Sequence, residues 1–437
     1  MKKSNIIIFA LLLVFTGVYA QSFKRAEKKM KMNEYAVAVK ILEKAVQNPL
    51  QQNQAIPLLA ECYRIQNNYT NAIKWYQLAV DMPGADPEWM YFEAQALRST
   101  GEYKKAKEKF LVYSGLNPGD SRAALYASYC DSVLGPWKNK LPVFDVRTVM
   151  NINSPFSDYA PAFYMGQLVF ASERNLNLDA AKYGKDGEGL VDLLRANPQH
   201  DNMFWGELKS VKLMNSKFNR SYHDGPVFFV GDTLAFFTRT TIHKSKSLNN
   251  KRVQKNEIYF SCKVDGKWGP LQAFFLNNKD YSVGFPALSA DGNTIVFVSD
   301  MPGGYGGTDI WVCKREGEKW GNPVNPGPEI NTVGNEMYPS IQFDGSLMFS
   351  SDGLPGYGSL DIFCASSVDG QWSNPENMGA PVNSSFDDFS ITYAPDFNGG
   401  FFTSDRPGGL GSDDIYAFRK LENFETETPV IVEITKP

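Results

Sequence analysis

Ser299-Asp300-Met301-Pro302-Gly303-Gly304-Tyr305-Gly306-Gly307-Thr308-Asp309-Ile310-Trp311 comes back twice further along the chain. The second copy runs from Ser351-Asp352 to Asp361-Ile362-Phe363, the third from Ser404-Asp405 to Asp414-Ile415-Tyr416. The two aspartates keep one separation, and the copies recur roughly every fifty residues, the period of a β-propeller blade or a related array. Each copy sits in a longer unit. A Pro and an Asp-Gly turn come first (Pro286, Asp291-Gly292; Pro339, Asp344-Gly345), then a short apolar strand such as Thr294–Val298. Asp-Gly between β-branched or aromatic runs signals a hairpin. The glycine-rich phrase follows, then a strand opened by Asp-Ile, then a Trp…Pro segment (Trp320…Pro323, Trp372…Pro375). Four short antiparallel strands per unit make one blade.

Two degenerate units precede these three. One passes through Asp158–Pro161, Leu168–Ser172, Asp192-Leu193 and Trp205; the other through Asp224–Pro226, Leu234–Thr238, Glu257–Tyr259 and Trp268. The expectation is therefore an all-β propeller of five blades, with six as the alternative. Ile330-Asn331-Thr332 and Val382-Asn383-Ser384 each precede the next blade's acidic start, and Ile152-Asn153-Ser154 does so before Asp158. The last blade lacks an outer strand, so residues 143–149 are expected to supply it and latch the ring, which removes exposed sheet edges.

A second repeat, with a period of 34, precedes the ring. Tyr35, Tyr69 and Tyr103 fall in register, as do Ala38, Ala72 and Ala106, and Ala26, Ala60 and Ala94. Small residues let helices approach closely, and this is the tetratricopeptide pattern. Asn67 and Gly101 stand where the inter-helix turn needs positive φ. Ser121–Val133 reads as a seventh, capping helix. The expected organisation is a signal peptide over 1–20, a helical solenoid of three repeats plus cap over 21–138, a propeller over 139–420 and a tail over 421–437.

Lys2-Lys3, the apolar Ile6–Val14 and Val18-Tyr19-Ala20 form a secretory leader. Gln21, not Cys, follows the cleavage site, so no lipoprotein anchor is expected. Losing the two lysines takes the net charge from −4 to about −6, mild acidity that argues against nucleic acid. The five cysteines, Cys62, Cys130, Cys262, Cys313 and Cys364, form no C-x-x-C pair and read as small buried hydrophobes.

The chemistry is sparse. Gly408–Asp413 matches one calcium β-roll unit, but such rolls need tandem copies every nine residues. Asp300, Asp352 and Asp405 are instead expected to accept hydrogen bonds from the backbone of their own glycine loops. No phosphate loop, no zinc spacing and no G-x-S-x-G elbow is present, and no cofactor or metal is expected. Blade-entry positions are Asp158, His223, Val283, Glu336 and Asp388; Asp158, Glu336 and Asp388 could converge at a central funnel as a glycosidase pair. On the helices, Glu61, Arg64, Tyr91, Gln95 and Arg98 would face a concave groove, with Arg64 and Arg98 as a basic stripe for an acidic or C-terminal peptide. The phrase is replaced by longer loops at 173–191 and 241–256, the second carrying Lys244, Lys246, Lys251, Arg252 and Lys255. Insertions on one face of a repeat array mark a binding face.

The tyrosine–alanine register together with the Ser-Asp…Asp-Ile phrase resembles a family of Bacteroidota periplasmic proteins. They carry tetratricopeptide repeats followed by a TolB-type, WD-repeat-like propeller. The resemblance spans roughly 22–420. It implies association with type IX secretion or gliding machinery at the outer membrane, beside a PorP/SprF-type membrane protein. Family members continue into an OmpA-like peptidoglycan-binding domain; this sequence stops at Pro437, so peptidoglycan binding is not carried over. The main expectation is thus a non-catalytic periplasmic scaffold binding partners through the groove and the inserted-loop face. The alternative is an exported glycan-binding or glycoside-active propeller using the funnel carboxylates; a third reading is an envelope-stress sensor.

Overall fold

The computed structural model describes residues 23–174, 189–198, 208–214, 217–219, 222–245, 251–368, 370–394 and 398–421, the side chains of Pro198, Ser245, Lys251 and Arg252 excepted. The leader, most of the first inserted loop, Trp205, Lys246 and the tail beyond 421 lie outside the described residues.

Seven helices come first: α1 (23–30), α2 (Tyr35–Ala45), α3 (Gln52–Ile65), α4 (Tyr69–Val80), α5 (Pro87–Ser99), α6 (Tyr103–Leu116) and α7 (Arg122–Leu134). Ala26, Ala60 and Ala94, and Ala38, Ala72 and Ala106, are fully buried where successive helices meet. A larger side chain there would push neighbouring helices apart. Asn67 (φ 57°) and Gly101 (φ 79°) make the left-handed turns that reverse the chain between helices. Asn68 caps α4 by accepting from Asn71 N, and Asp86 caps α5, whose first turn holds Pro87, where a missing N–H costs nothing.

Five blades follow. Blade one comprises Asp158–Tyr164, Gln167–Ser172, Asp192–Pro198 and Leu208–Leu213. Blade two opens with His223–Val230 and then forms a long hairpin, Leu234–Ser245 against Lys251–Val264. Blades three, four and five begin at Val283, Glu336 and Asp388. Phe144–Thr148 pairs antiparallel with Asp414–Lys420 and completes blade five, so the six-bladed alternative is set aside. The expected loop at 241–256 is mostly strand: Thr241 to Ser245 pair with Lys255 to Lys251. Burial alternates along it, with Thr241 and His243 half-buried and Ile242 and Lys244 exposed, as in a two-sided ribbon.

Apolar residues of neighbouring blades interlock between the sheets, as where Ile258 and Phe236 of blade two meet Phe297 and Trp311 of blade three. Main-chain polar groups at the blade rims are satisfied by one recurring device. The amide side chain of an asparagine bridges the backbone N–H and C=O of one residue in each third strand. Asn331 accepts from Ile310 N (2.8 Å) and donates to Ile310 O (2.9 Å). Asn383 does the same for Ile362, Asn277 for Ile258, Asn219 for Leu193 and Asn153 for Ile415. Each bridging amide imitates one residue of an extra strand.

The aspartates of the repeated phrase have different jobs from those expected. The second one of each copy braces the glycine loop: Tyr305 N donates to Asp309, Gly358 N to Asp361, and Leu410 N and Gly411 N to Asp414. The first one, Asp300, Asp352 or Asp405, instead accepts from the amide just before its own blade's inner strand, on Ser282, Asn335 or Asp387. Cysteine placement also differs. Cys62, Cys130 and Cys313 are buried, but Cys262 is exposed and Cys364 half-buried, and all five are free thiols. Cys262 lies on a blade-two strand near the ring's outer edge, where alternation turns it outward.

Candidate functional site

Each inner strand carries a bulge whose central residue is held at positive φ: Ala160, Phe285, Tyr338 and Ser390 lie between 51° and 54°, and Gly225 takes the position in blade two. The bulge re-aims side chains toward the ring axis. Phe285 and Tyr338 sit 4.6 Å apart by ring centroid, Tyr338 and Phe389 4.7 Å, and Tyr159 and Phe389 6.4 Å. These four rings form a floor across the channel.

Above the floor is a cavity of about 580 Å³. Glu173, His223, Asp405 and Asp413 stand on its wall, and the α3–α4 turn, Asn67 to Thr70, forms a lip over it. The helices are seated on the ring at this point. Asn67 Nδ2 donates to Asp387 Oδ2 (2.8 Å), Ser359 Oγ donates to Tyr69 Oη (3.1 Å), and Tyr129 Oη donates to Gly353 O (3.1 Å). Burial, with the charges of Asp387 and Asp413 behind it, holds the Asp405 carboxyl well above the ordinary carboxylate range. Burial first, then neighbouring carboxylates, also raises Asp387, and the backbone N–H of Leu360 only partly opposes this. Crowded acids under a lid of helices share protons rather than all ionise. Among the described residues no group of three His, Cys, Asp or Glu side chains is placed to hold a metal ion, and no helix is long and apolar enough to cross a membrane.

The sequence-derived funnel acids are not on this wall. Asp158, Glu336 and Asp388 are each fully buried at the start of an inner strand. Asp158 is paired with Arg174 (2.6 Å) and accepts from Ser154; Asp388 is paired with Arg406 and accepts from Ser384. Glu336 pairs with no arginine among the described residues and accepts from Thr332 N, Thr332 Oγ1 and Ser351 Oγ. These acids fasten the blade entry and do not face the channel. The acids that do, Asp405 and Asp413, lie in the repeated phrase, read from sequence as framework.

On the helices, Arg64, Tyr91, Gln95 and Arg98 do come together, but the groove faces the ring rather than open solvent. Glu61 is bound up with Arg64 through two contacts, Nη2–Oε1 (2.6 Å) and Nε–Oε2 (2.7 Å). Of the basic cluster, Lys255 reaches Asp300 (3.2 Å), and Lys244 lies exposed on the blade-two hairpin. Lys246 and the side chains of Lys251 and Arg252 are outside the described residues.

No protein-family model matches the chain, and no curated protein matches it either. Several solved structures are similar to it over part of its length. A protein of unknown function from Dyadobacter fermentans is 16% identical, with 60% of this chain and 80% of that chain covered and a TM-score of 0.37. A glycoside hydrolase is 11% identical (68% and 98% covered, TM-score 0.40), and the GH43 endo-arabinanase of Bacillus licheniformis 9% identical (62% and 96%, TM-score 0.35). Further similar structures include a sialidase, a xylosidase, an arabinofuranosidase and a peptidase. The expectation of a non-catalytic scaffold is corrected here to this extent: most of the similar structures named above are of carbohydrate-cleaving enzymes. The comparisons give no support to a secretion-associated family. Likeness this distant lends no residue and no substrate, so the functional reading rests on the cavity itself.

Proposed function

We propose that this protein is an exported, glycan-active propeller whose sugar-binding site is the cavity over the ring. The carrying observation is the pairing of an aromatic floor, Tyr159, Phe285, Tyr338 and Phe389, with acids on one wall. Sugars present C–H faces that pack on aromatic rings, while their hydroxyls take directed hydrogen bonds. Glycoside cleavage asks for two carboxyl groups in unlike states, one holding a proton for the leaving oxygen and one ionised. Asp405, pushed well above its usual range by burial, suits the proton-holding role. Asp413 or Glu173, which also line the cavity, would be the second carboxyl. The helices, read as a tetratricopeptide-type array, narrow the mouth and would admit one end or one short stretch of a glycan.

The test is a panel of soluble glycans offered to the full chain, followed by binding calorimetry and reducing-end release. Cleavage that falls at least a hundredfold in Asp405→Asn, with binding retained, is the expected result. Tyr338→Ala should weaken binding instead. Binding without any release would make the protein a lectin and remove the catalytic part. No binding across the panel overturns the whole reading.

A further inference from the structure

A separate cavity of about 480 Å³ opens at the junction of blades one and two. It lies on the face of the ring turned away from the helices. Tyr159, near the start of blade one's first strand, lines the cavity over the ring, whereas Tyr164, at the far end of that strand, lines this one. Tyr164 is its flat wall. Phe229 stacks on one face of that ring, 4.3 Å between centroids and 29° between planes. Trp268 stands 6.1 Å from Tyr164 and 6.4 Å from Phe229, beside the pair rather than across it. Lys263 Nζ meets the Tyr164 hydroxyl at 3.1 Å and lies 5.8 Å from the ring centre, so it reaches the edge and not the face. No ring or charge among the described residues covers the second face of Tyr164.

Polar groups flank that wall with bonding capacity to spare. Asp232 Oδ1 accepts from Tyr164 Oη (2.7 Å) and Lys263 Nζ (2.6 Å). These bonds, the lysine's first, hold the carboxyl below its ordinary range and fix its direction. Oδ2 accepts from no described residue. On the blade-one side Arg195 is exposed, and its one bond among the described residues is a long contact, Nη1 to Gln167 Oε1 at 3.4 Å. An oriented carboxylate oxygen and an open guanidinium offer an acceptor and donors together, which suits neighbouring hydroxyls on a small ring. The turn at the rim is a further sign. Met165 and Gly166 both have positive φ (48° and 73°), as in a two-residue hairpin turn that favours Asn, Asp or Gly at its first position. The neighbouring turn, Asp265-Gly266, obeys that preference (49° and 71°). Met165 does not, and it is 65% exposed where it lines the cavity. Backbone strain of this kind persists where the side chain serves a site.

We propose that this cavity is a non-catalytic saccharide-binding site, in which one sugar ring packs on the open face of Tyr164 beside Met165 and its hydroxyls pair with Asp232 and Arg195. Holding a polymer on one face of the ring raises its effective concentration at the mouth on the other. The choice of a sugar rests on the glycan reading of the protein; that this pocket is a site apart from the ring cavity does not.

Calorimetry of the full chain decides the point, with hexasaccharides of arabinan, xylan and galactan as probes, and the soluble polymers as further arms. A hexasaccharide that binds should occupy two sites per chain, and Tyr338→Ala should remove one of them. Asp232→Asn turns the open acceptor into a donor yet keeps an oxygen for Lys263 and Tyr164. It should weaken the other site about tenfold, as the loss of one charged hydrogen bond implies. Arg195→Ala, at an exposed side chain, should do the same even if Asp232→Asn fails to fold. Both variants should bind the polymer more weakly and leave any cleavage of the hexasaccharide unchanged. Binding lost in Tyr338→Ala and unchanged in both Asp232→Asn and Arg195→Ala would overturn this site and keep the ring cavity. Binding lost in those two variants and unchanged in Tyr338→Ala would keep this site and overturn the ring cavity as the place where glycan binds. No binding of any of these probes would overturn both.

Discussion

Asn331 shows what one side chain does in this ring. Its amide satisfies both the N–H and the C=O of Ile310, and it is itself fully buried. Asn331→Ala leaves a buried donor and a buried acceptor unmet. A loss of about 2–6 kcal/mol is expected in urea unfolding, since each orphaned group costs roughly 1–3. Glu336 gives a second residue-scale outcome. An unfolded glutamate ionises near 4.5, whereas burial holds Glu336 up to about 7 in the fold. Between those values the native state binds the extra proton, so this group's effect is a stability that falls as pH rises through that window and is flat above it. Glu336→Gln, which can still accept from Thr332 N and donate to the two hydroxyls, should remove on the order of 2–3 kcal/mol of that decline. Urea midpoints at pH 5 and 7.5 for both proteins would show it; parallel declines would refute it.

At the scale of the element, the glycine phrase is a steric fitting. A Cβ on Gly306, Gly358 or Gly411 would come within 2.4 Å of backbone oxygen in the segment that enters the next blade. A Cβ on Gly304, Gly356 or Gly409 would strike the second aspartate of the same copy. Gly358→Ala is therefore expected to destabilise by several kcal/mol, comparable to other backbone clashes. Gly115→Ala, in α6 with no atom within 4 Å of the new Cβ, should stabilise by a few tenths to about 1 kcal/mol. Thermal unfolding of the two variants would display opposite signs. This part of the molecule was legible in the sequence because repetition exposes it. Blade number and the strands of the repeat can be counted from three copies of one phrase. The division of labour between its two aspartates could not, because sequence spacing does not say which amide crosses which loop. The bridging asparagines were visible as Ile-Asn-Thr and Val-Asn-Ser, but their partners lie about twenty residues back and only the fold brings them together. Asp158 and Asp388 misled as funnel acids because Arg174 and Arg406, the groups that cover them, sit sixteen and eighteen residues away.

For the whole molecule, the helices and the ring behave as one body where they touch. Tyr126 Oη donates to Asp352 O (3.2 Å), Tyr129 Oη to Gly353 O, and Trp137 packs at 4.9 Å on Tyr357. Calorimetry should show a single unfolding transition for the wild type. Combining Tyr129→Phe, Trp137→Ala and Asn67→Ala should split it in two, with the helices melting first, because a helical array has local contacts and less core per residue. A single unshifted transition in the triple variant would mean the seat is unimportant. The cavity over the ring and the helical groove that faces it are products of this docking, which is why neither could be seen in the chain. Asn67 and Asp387, or Arg98 and Asp352, are neighbours only after two independent repeat systems have closed on each other.

The latch has a further consequence. Leu421 N donates to Val143 O at 2.9 Å, so the chain enters and leaves the ring at the same place. A circle whose two ends already touch has no geometrically privileged first blade. Opening the backbone at Asp291-Gly292 and joining 421 to 143 through a short linker would leave every blade with its own neighbours. The order in which the blades are written along the gene is then a matter of history, and the ring itself is indifferent to it.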